Sequence, residues 1–136
     1  MGYEPGAYAL SLAAERRWHA EAAKGTLSAH EVAILLNPNA PDPARVTQLL
    51  TAGQLLGVFH EGEMRFPAYQ FNGAAVRKVI PVLVAVGERN ELSAWDIVLW
   101  MITPSSLFAA RDRPMDHLDD PERLLAAAQA EFETFW

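Results

Sequence analysis

Along the chain, hydrophobic positions fall into helical stripes separated by dense turn signals, with one interruption of β-prone residues. Residues 6–24 hold no interior Gly or Pro and are rich in Ala, Leu, Glu and Arg. Leu10, Ala14, Trp18 and Ala22 form a stripe at i, i+4 spacing, which predicts a helix ended by Lys24 and Gly25. So narrow a stripe suits either packing on its own lobe or a dimer arm. Ser28 and Glu31 then make a capping box with Leu27 and Val32 as a staple around it, opening a short helix with Val32, Leu35 and Leu36 inward. Asn37-Pro38-Asn39-Ala40-Pro41-Asp42-Pro43 reads as a turn, and a second helix over 43–52 turns Val46, Leu49 and Leu50 inward and stops at Gly53. Two short helices joined by a turn predict a helix-turn-helix. The runs 55–59 and 64–67 flank His60-Glu61-Gly62-Glu63 and predict a β-hairpin, placed as a wing.

Ala68-Tyr69-Gln70-Phe71 joins this half to the next. Residues 74–87 read as a mostly apolar helix with Val76, Ile80, Leu83, Val84 and Val86 mainly inward, in which Pro81 marks either a kink or a late start. Leu92, Ser93, Asp96 and Ile97 repeat the cap-and-staple arrangement and open a helix running to Ile102. Thr103 then reads as the cap of a further helix, with Pro104 at its first position and Ile102 stapled to Leu107. A basic break, Arg111-Asp112-Arg113-Pro114, leads through Met115 and His117 to Leu118. Asp120-Pro121 opens a last helix that buries Leu124, Leu125, Ala128 and Phe132. The expected fold is mainly α: an N-terminal helix or arm (1–26), a helix-turn-helix lobe with a small β-hairpin wing (27–71), and a compact helical C-terminal lobe (72–136).

Composition narrows the class. The 136 residues are 51% hydrophobic, which excludes a disordered chain, and they contain no cysteine, which excludes a disulfide frame and a thiolate metal site. No basic and apolar leader is visible at the start, and the longest apolar run is far short of the ~20 residues that span a bilayer, so the expectation is a cytoplasmic protein. The net charge of −6 opposes unspecific attraction to nucleic acid, so any DNA binding must come from one local face. His19, His30, His60 and His117 lack ligand spacing, and no nucleophile motif or phosphate loop is present. Neither an enzyme nor a cofactor is expected.

The residues Trp100, Thr103, Pro104, Leu107, Arg113, Pro114 and Leu118 resemble the toxin-binding region of the MbcA/ParS/Xre antitoxin family, departing at Ser105, where Asn is common, and at Asp112, where Gly is usual. Some relatives also carry a segment similar to Phe66-Pro67-Ala68-Tyr69-Gln70-Phe71 after a helix-turn-helix. The resemblance implies an antitoxin that covers the active site of a RES-domain, NAD-consuming toxin and represses its own operon as a dimer or larger assembly.

Two sets of site residues follow. For the toxin they are Arg111, Arg113, Pro114, Met115, Leu118, Phe132, Phe135 and Trp136, because Arg and Met are enriched in interface centres and aromatics near a chain end tend to mark contact surfaces. On this plugging view, truncation after Ala130 abolishes neutralisation while leaving most of the fold. For operator DNA they are Asn39, Arg45, Thr47, Gln48 and Arg65, with Arg45 suited to guanine and Gln48 to adenine in a major groove. The alternative is a winged-helix transcription regulator with a helical dimerisation lobe and no toxin partner.

Overall fold

A computed structural model describes residues 19–135; within these, the side chains of Ala110, Thr134 and Phe135 are left undescribed. The stripe positions Leu10, Ala14 and Trp18, and Trp136, lie outside that range. Residues 19–23 are helical and end at Gly25, whose φ of +67° is the left-handed stop that the Lys24-Gly25 pair predicts.

The winged half is built from β1 (Thr26–Ser28), α1 (Ala29–Leu36), α2 (Pro43–Thr51), β2 (Val58–His60) and β3 (Glu63–Pro67). The capping box at the start of α1 forms as expected: Glu31 N donates to Ser28 Oγ at 3.1 Å and Ser28 N to Glu31 Oε1 at 2.9 Å. Asp42 caps α2 through Ala44 N at 3.1 Å, with Pro43 at the first helical position. The helix closes in paired bonds from Gly53 N to Leu50 O and Gln54 N to Leu49 O, with Gly53 at φ +74°. The hairpin turn is tight, with Glu61 at φ +49° and Gly62 at φ +86°. Both central residues are left-handed, as a two-residue turn between twisted strands requires.

Leu27 does not merely staple α1. It belongs to β1, which pairs antiparallel with β3 and makes a three-stranded sheet of order β1-β3-β2. One sheet face carries Phe66, Met64 and Leu27 onto α1 and α2, where Val32, Ala33, Val46, Leu55 and Phe71 complete a core. The opposite face carries Val58 into a second core, made mainly by the C-terminal half.

That half contains β4 (Phe71–Asn72), β5 (Ala75–Val76), α3 (Val79–Arg89), α4 (Ala94–Ile102) and α5 (Pro121–Phe135). Residues 71–76 form a miniature hairpin around Gly73 at φ +63°, so the helix expected over 74–87 starts only at Val79. Pro81 then occupies the first turn, where its missing N–H costs nothing. Ser93 and Asp96 close the expected capping box on α4, with Asp96 N to Ser93 Oγ at 3.2 Å. Close approach of α3 and α4 depends on Gly87, where an added Cβ would stand 2.6 Å from Ile97 Cδ1.

The helix expected from Thr103–Pro104 does not form. Thr103 Oγ1 donates back to Leu99 O at 2.6 Å and so finishes α4, and Leu107 stands 46% exposed rather than completing a staple. Short 3-10 turns at Ala109–Arg111 and Pro114–His117 carry the chain onward to α5.

The two cores meet at Gln70, which is fully buried. Its Nε2 donates to Leu56 O at 2.7 Å and Pro67 O at 3.0 Å, while its Oε1 accepts from Leu56 N at 2.8 Å. Leu55 lies in one core and Leu56 in the other, so this amide holds the strand entry that both share. A second tie is Trp95 of α4, stacked on His19 with ring centroids 4.0 Å apart and touched edge-on by His60 of β2 at 5.9 Å. Ala22 is buried in the same core, so the end of the N-terminal helix packs on its own chain.

Gln70→Leu is expected to destabilise the protein by roughly 2–5 kcal/mol, because it strands the Leu56 N–H and carbonyl in a dry interior. Urea unfolding measures it, and a loss no larger than that of a surface substitution would show that the clamp is dispensable. Glu61→Asn, which creates an Asn-Gly turn, is expected to add about 0.5–1 kcal/mol by placing a residue tolerant of positive φ there. An unchanged or lower unfolding midpoint would contradict that account.

Candidate nucleic-acid interface

The face that α2 offers to solvent carries Ala44, Arg45, Thr47, Gln48 and Thr51, all exposed, while Val46 on the opposite side is 1% exposed in the core. Spacings of three and four residues set Ala44, Gln48 and Thr51 on one side, with Arg45 and Thr47 flanking them. Thr47 Oγ1 makes only a long contact of 3.5 Å to Pro43 O, so its hydroxyl remains open to an incoming group. Asn39 is exposed in the turn before α2, beside a cleft of about 310 Å³ lined by Leu36, Asn37, Asp42 and Arg45. Arg45 has no ion-pair partner among the described residues. The structure therefore places Arg45, Thr47 and Gln48 on the exposed side of one helix, with Asn39 exposed in the turn that precedes it.

Arg65 does not join them. Its Nε donates to Thr26 Oγ1 and its Nη2 to Thr26 O, both at 3.0 Å, and Nη1 pairs with Glu63. With the guanidinium spent on tying β1 to β3, it is a fastener of the sheet. The wing tip itself is acidic, with the Glu61 side chain 85% exposed.

The second set of candidates divides more sharply. Phe132 is 1% exposed and meets Trp100 edge-to-face at 5.0 Å; Leu118 is 8% exposed and Pro114 is also buried. These three form the inside of the C-terminal lobe and are not a surface for a partner. The side chain of Phe135, and all of Trp136, lie outside the described residues. Arg113 is exposed but folded onto Asp116, with Nη2 to Oδ1 at 3.2 Å and a backbone bond from Arg113 N to Oδ2 at 3.0 Å. Those hydrogen bonds hold the Asp116 carboxyl below its usual range. Met115 is half-buried. Arg111 is exposed, at φ +56°, a left-handed conformation rare for a residue with a side chain. Of the residues named for a toxin whose side chains are described, Arg111, Arg113 and part of Met115 are accessible.

Three features escaped the sequence reading. Glu131 accepts from Trp100 Nε1 at 2.8 Å and from Ser105 Oγ, which pins the 103–112 segment to α5. Phe108 is buried with His117 stacked on it at 4.3 Å and Arg123 over its ring at 5.5 Å; His117 Nε2 also lies 3.1 Å from Asp112 Oδ2. Tyr69 sits in the joint with a buried hydroxyl that has no hydrogen-bond partner among the described residues, and desolvation pushes its phenol well above the usual range. The sequence places Ala68-Tyr69-Gln70-Phe71 at the joint, but neither that placement nor the Phe-Pro-x-x-Gln-Phe resemblance singles out Tyr69.

Among the described residues no group of three His, Asp or Glu side chains is placed to hold a metal, and no helix is long and apolar enough to cross a membrane. No protein-family model matches the chain, and no curated protein matches it. Among solved structures, the NMR structure of Rv2175c is similar to it, at a TM-score of 0.68 and 27% sequence identity, over 77% of this chain and 79% of that one.

Proposed function

We propose that this chain is a winged-helix DNA-binding protein of the transcription-regulator type that reads duplex DNA with α2. The observation that carries the reading is the α2 face. A complete helix-turn-helix backed by a three-stranded wing leaves Arg45, Thr47 and Gln48 exposed on a helix whose opposite side is locked in the core. A helix of this size enters a major groove, where Arg pairs with guanine and Gln with adenine. One nine-residue helix with a single arginine, unpaired among the described residues, covers few base pairs, so the reading includes a dimer on a two-part site.

A second reading keeps the resemblance to MbcA/ParS/Xre antitoxins, in which the C-terminal lobe occludes a RES-domain toxin. What favours it is the pinned segment over residues 103–112, which presents Leu107 and the left-handed Arg111 outward on a rigid base. In that reading, contact runs through Leu107, Arg111 and Arg113 rather than the buried aromatics. Truncation after Ala130 is no longer a clean test, since it removes Glu131 and Phe132 and with them part of the core.

Selection from a random duplex library is expected to enrich one sequence, and Arg45→Ala to weaken binding to it by about 1–3 kcal/mol without changing the melting temperature. With so few unpaired cations near α2, the slope of log K against log salt is expected to be no steeper than about −4, since each neutralised phosphate contributes about −0.9. A library with no enriched sequence, or an Arg45→Ala protein of parental affinity, contradicts the DNA reading. For the antitoxin reading, Leu107→Glu with Arg111→Glu is expected to abolish protection in a co-expression growth assay with a RES-domain toxin. Protection that survives both changes refutes it.

A further inference from the structure

The three-stranded sheet ends on β2, whose outer side is covered by no strand among the described residues. Its hairpin turn has both central residues left-handed. In such a turn the closing pair, His60 and Glu63, exchanges both backbone hydrogen bonds. Bonded and open pairs then alternate, so Phe59, opposite Met64, turns its N–H and C=O away from β3. Neither group has a hydrogen-bond partner among the described residues. The Phe59 side chain is 61% exposed, more than any other large apolar side chain among them. One residue thus presents a free backbone donor, a free acceptor and an aromatic ring together. Native sheets guard such edges with Lys, Pro or a bulge, and Val58-Phe59-His60 has none of these.

The edge is short, with room for one bonded pair centred on Phe59, so a long foreign strand would run past it with its further groups unpaired. A second copy of this chain fits it better. Antiparallel pairing about a two-fold axis at Phe59 sets each Phe59 N–H on the C=O of the other copy and lays ring beside ring. The same register puts His60 opposite Val58 of the second copy and Glu61 opposite its Gly57. No like charges stand directly opposite, and the glycine leaves room for the glutamate. Phe59 shares a sheet face with Met64, on the side that packs against α1 and α2. Directly opposed residues keep to one face, so both copies of α2 end on the same side of a six-stranded sheet.

We propose that β2 is a homodimer edge, at which two copies of this chain pair antiparallel about Phe59 into one continuous sheet. The contact is small, so the dimer is weak, forming at high concentration or when both copies are held on one DNA. The pairing itself does not rest on the DNA reading, to which it adds a means of setting two α2 helices side by side.

The test uses the full chain without DNA, followed by NMR over a dilution series from millimolar to tens of micromolar. The Phe59 amide is expected to exchange with solvent several-fold more slowly at the concentrated end, with sedimentation there showing dimer. Phe59→Lys is expected to abolish both effects while leaving the melting temperature unchanged, since the side chain it replaces stands in solvent. The chain has no cysteine, so Phe59→Cys supplies a single thiol per copy and is expected to form a disulfide-linked dimer on oxidation. Glu61→Cys is expected not to, because in this register its two copies stand roughly 14 Å apart, beyond the reach of a disulfide. A Phe59 amide equally protected in dilute protein would mean that the edge is covered within one chain, and overturns the assignment. So does self-association that is absent or survives Phe59→Lys, or equal cross-linking from positions 59 and 61.

Discussion

A single buried primary amide holds the molecule's two halves in register. Gln70 offers two donors and an acceptor, and all are used on backbone groups, two of them on Leu56. In a dry interior such directional bonds are stronger than in water, and leaving any of them unmade is expensive. The consequence reaches both ways along the chain. Leu55 and Leu56 are sent into different cores, and the Gln70 carbonyl accepts from Arg77 N at 2.8 Å, which sets the start of α3. An apolar side chain of the same size would pack there without choosing a geometry.

Around that joint, cations are spent on internal work. Arg65 ties β1 to β3, Arg77 donates to Tyr69 O and pairs with Asp119, and Arg113 closes on Asp116. Ion pairs this exposed add little stability, but each fixes where a guanidinium points. On an acidic chain this leaves the positive charge near α2 concentrated in Arg45, so the DNA reading proposed for that helix leans on base contacts more than on a general grip on phosphate. The acidic wing tip works in the same direction.

Much of the fold was readable because it depends on interactions within four residues. Ser28 with Glu31, Ser93 with Asp96, the 37–43 turn and the Glu61-Gly62 hairpin are local chemistry, and each forms where the residues place it. Residues 71–76 fold as a small hairpin around Gly73, where the apolar run from 74 predicted a longer helix. Strand β1 was not readable, since Thr26–Ser28 becomes a strand only by pairing with Arg65–Pro67, some forty positions away. Thr103 and Pro104 had the composition of a helix start, yet the Thr103 hydroxyl had a nearer acceptor in the helix behind it.

For the sites, the amino-acid order alone determined which residues have the right chemistry: a basic and amide-bearing helix, arginines in a break, aromatics towards the chain end. Only the tertiary structure decided which of these reach solvent. Phe132 is taken into the core by Trp100, thirty-two residues earlier, and the Arg65 guanidinium is tied down by Thr26, thirty-nine earlier, whereas Arg45 and Gln48 stay outside because Val46 anchors the far side of their helix. Capping and turn chemistry act between neighbours in the chain, but availability to a partner is set by packing against residues distant in sequence.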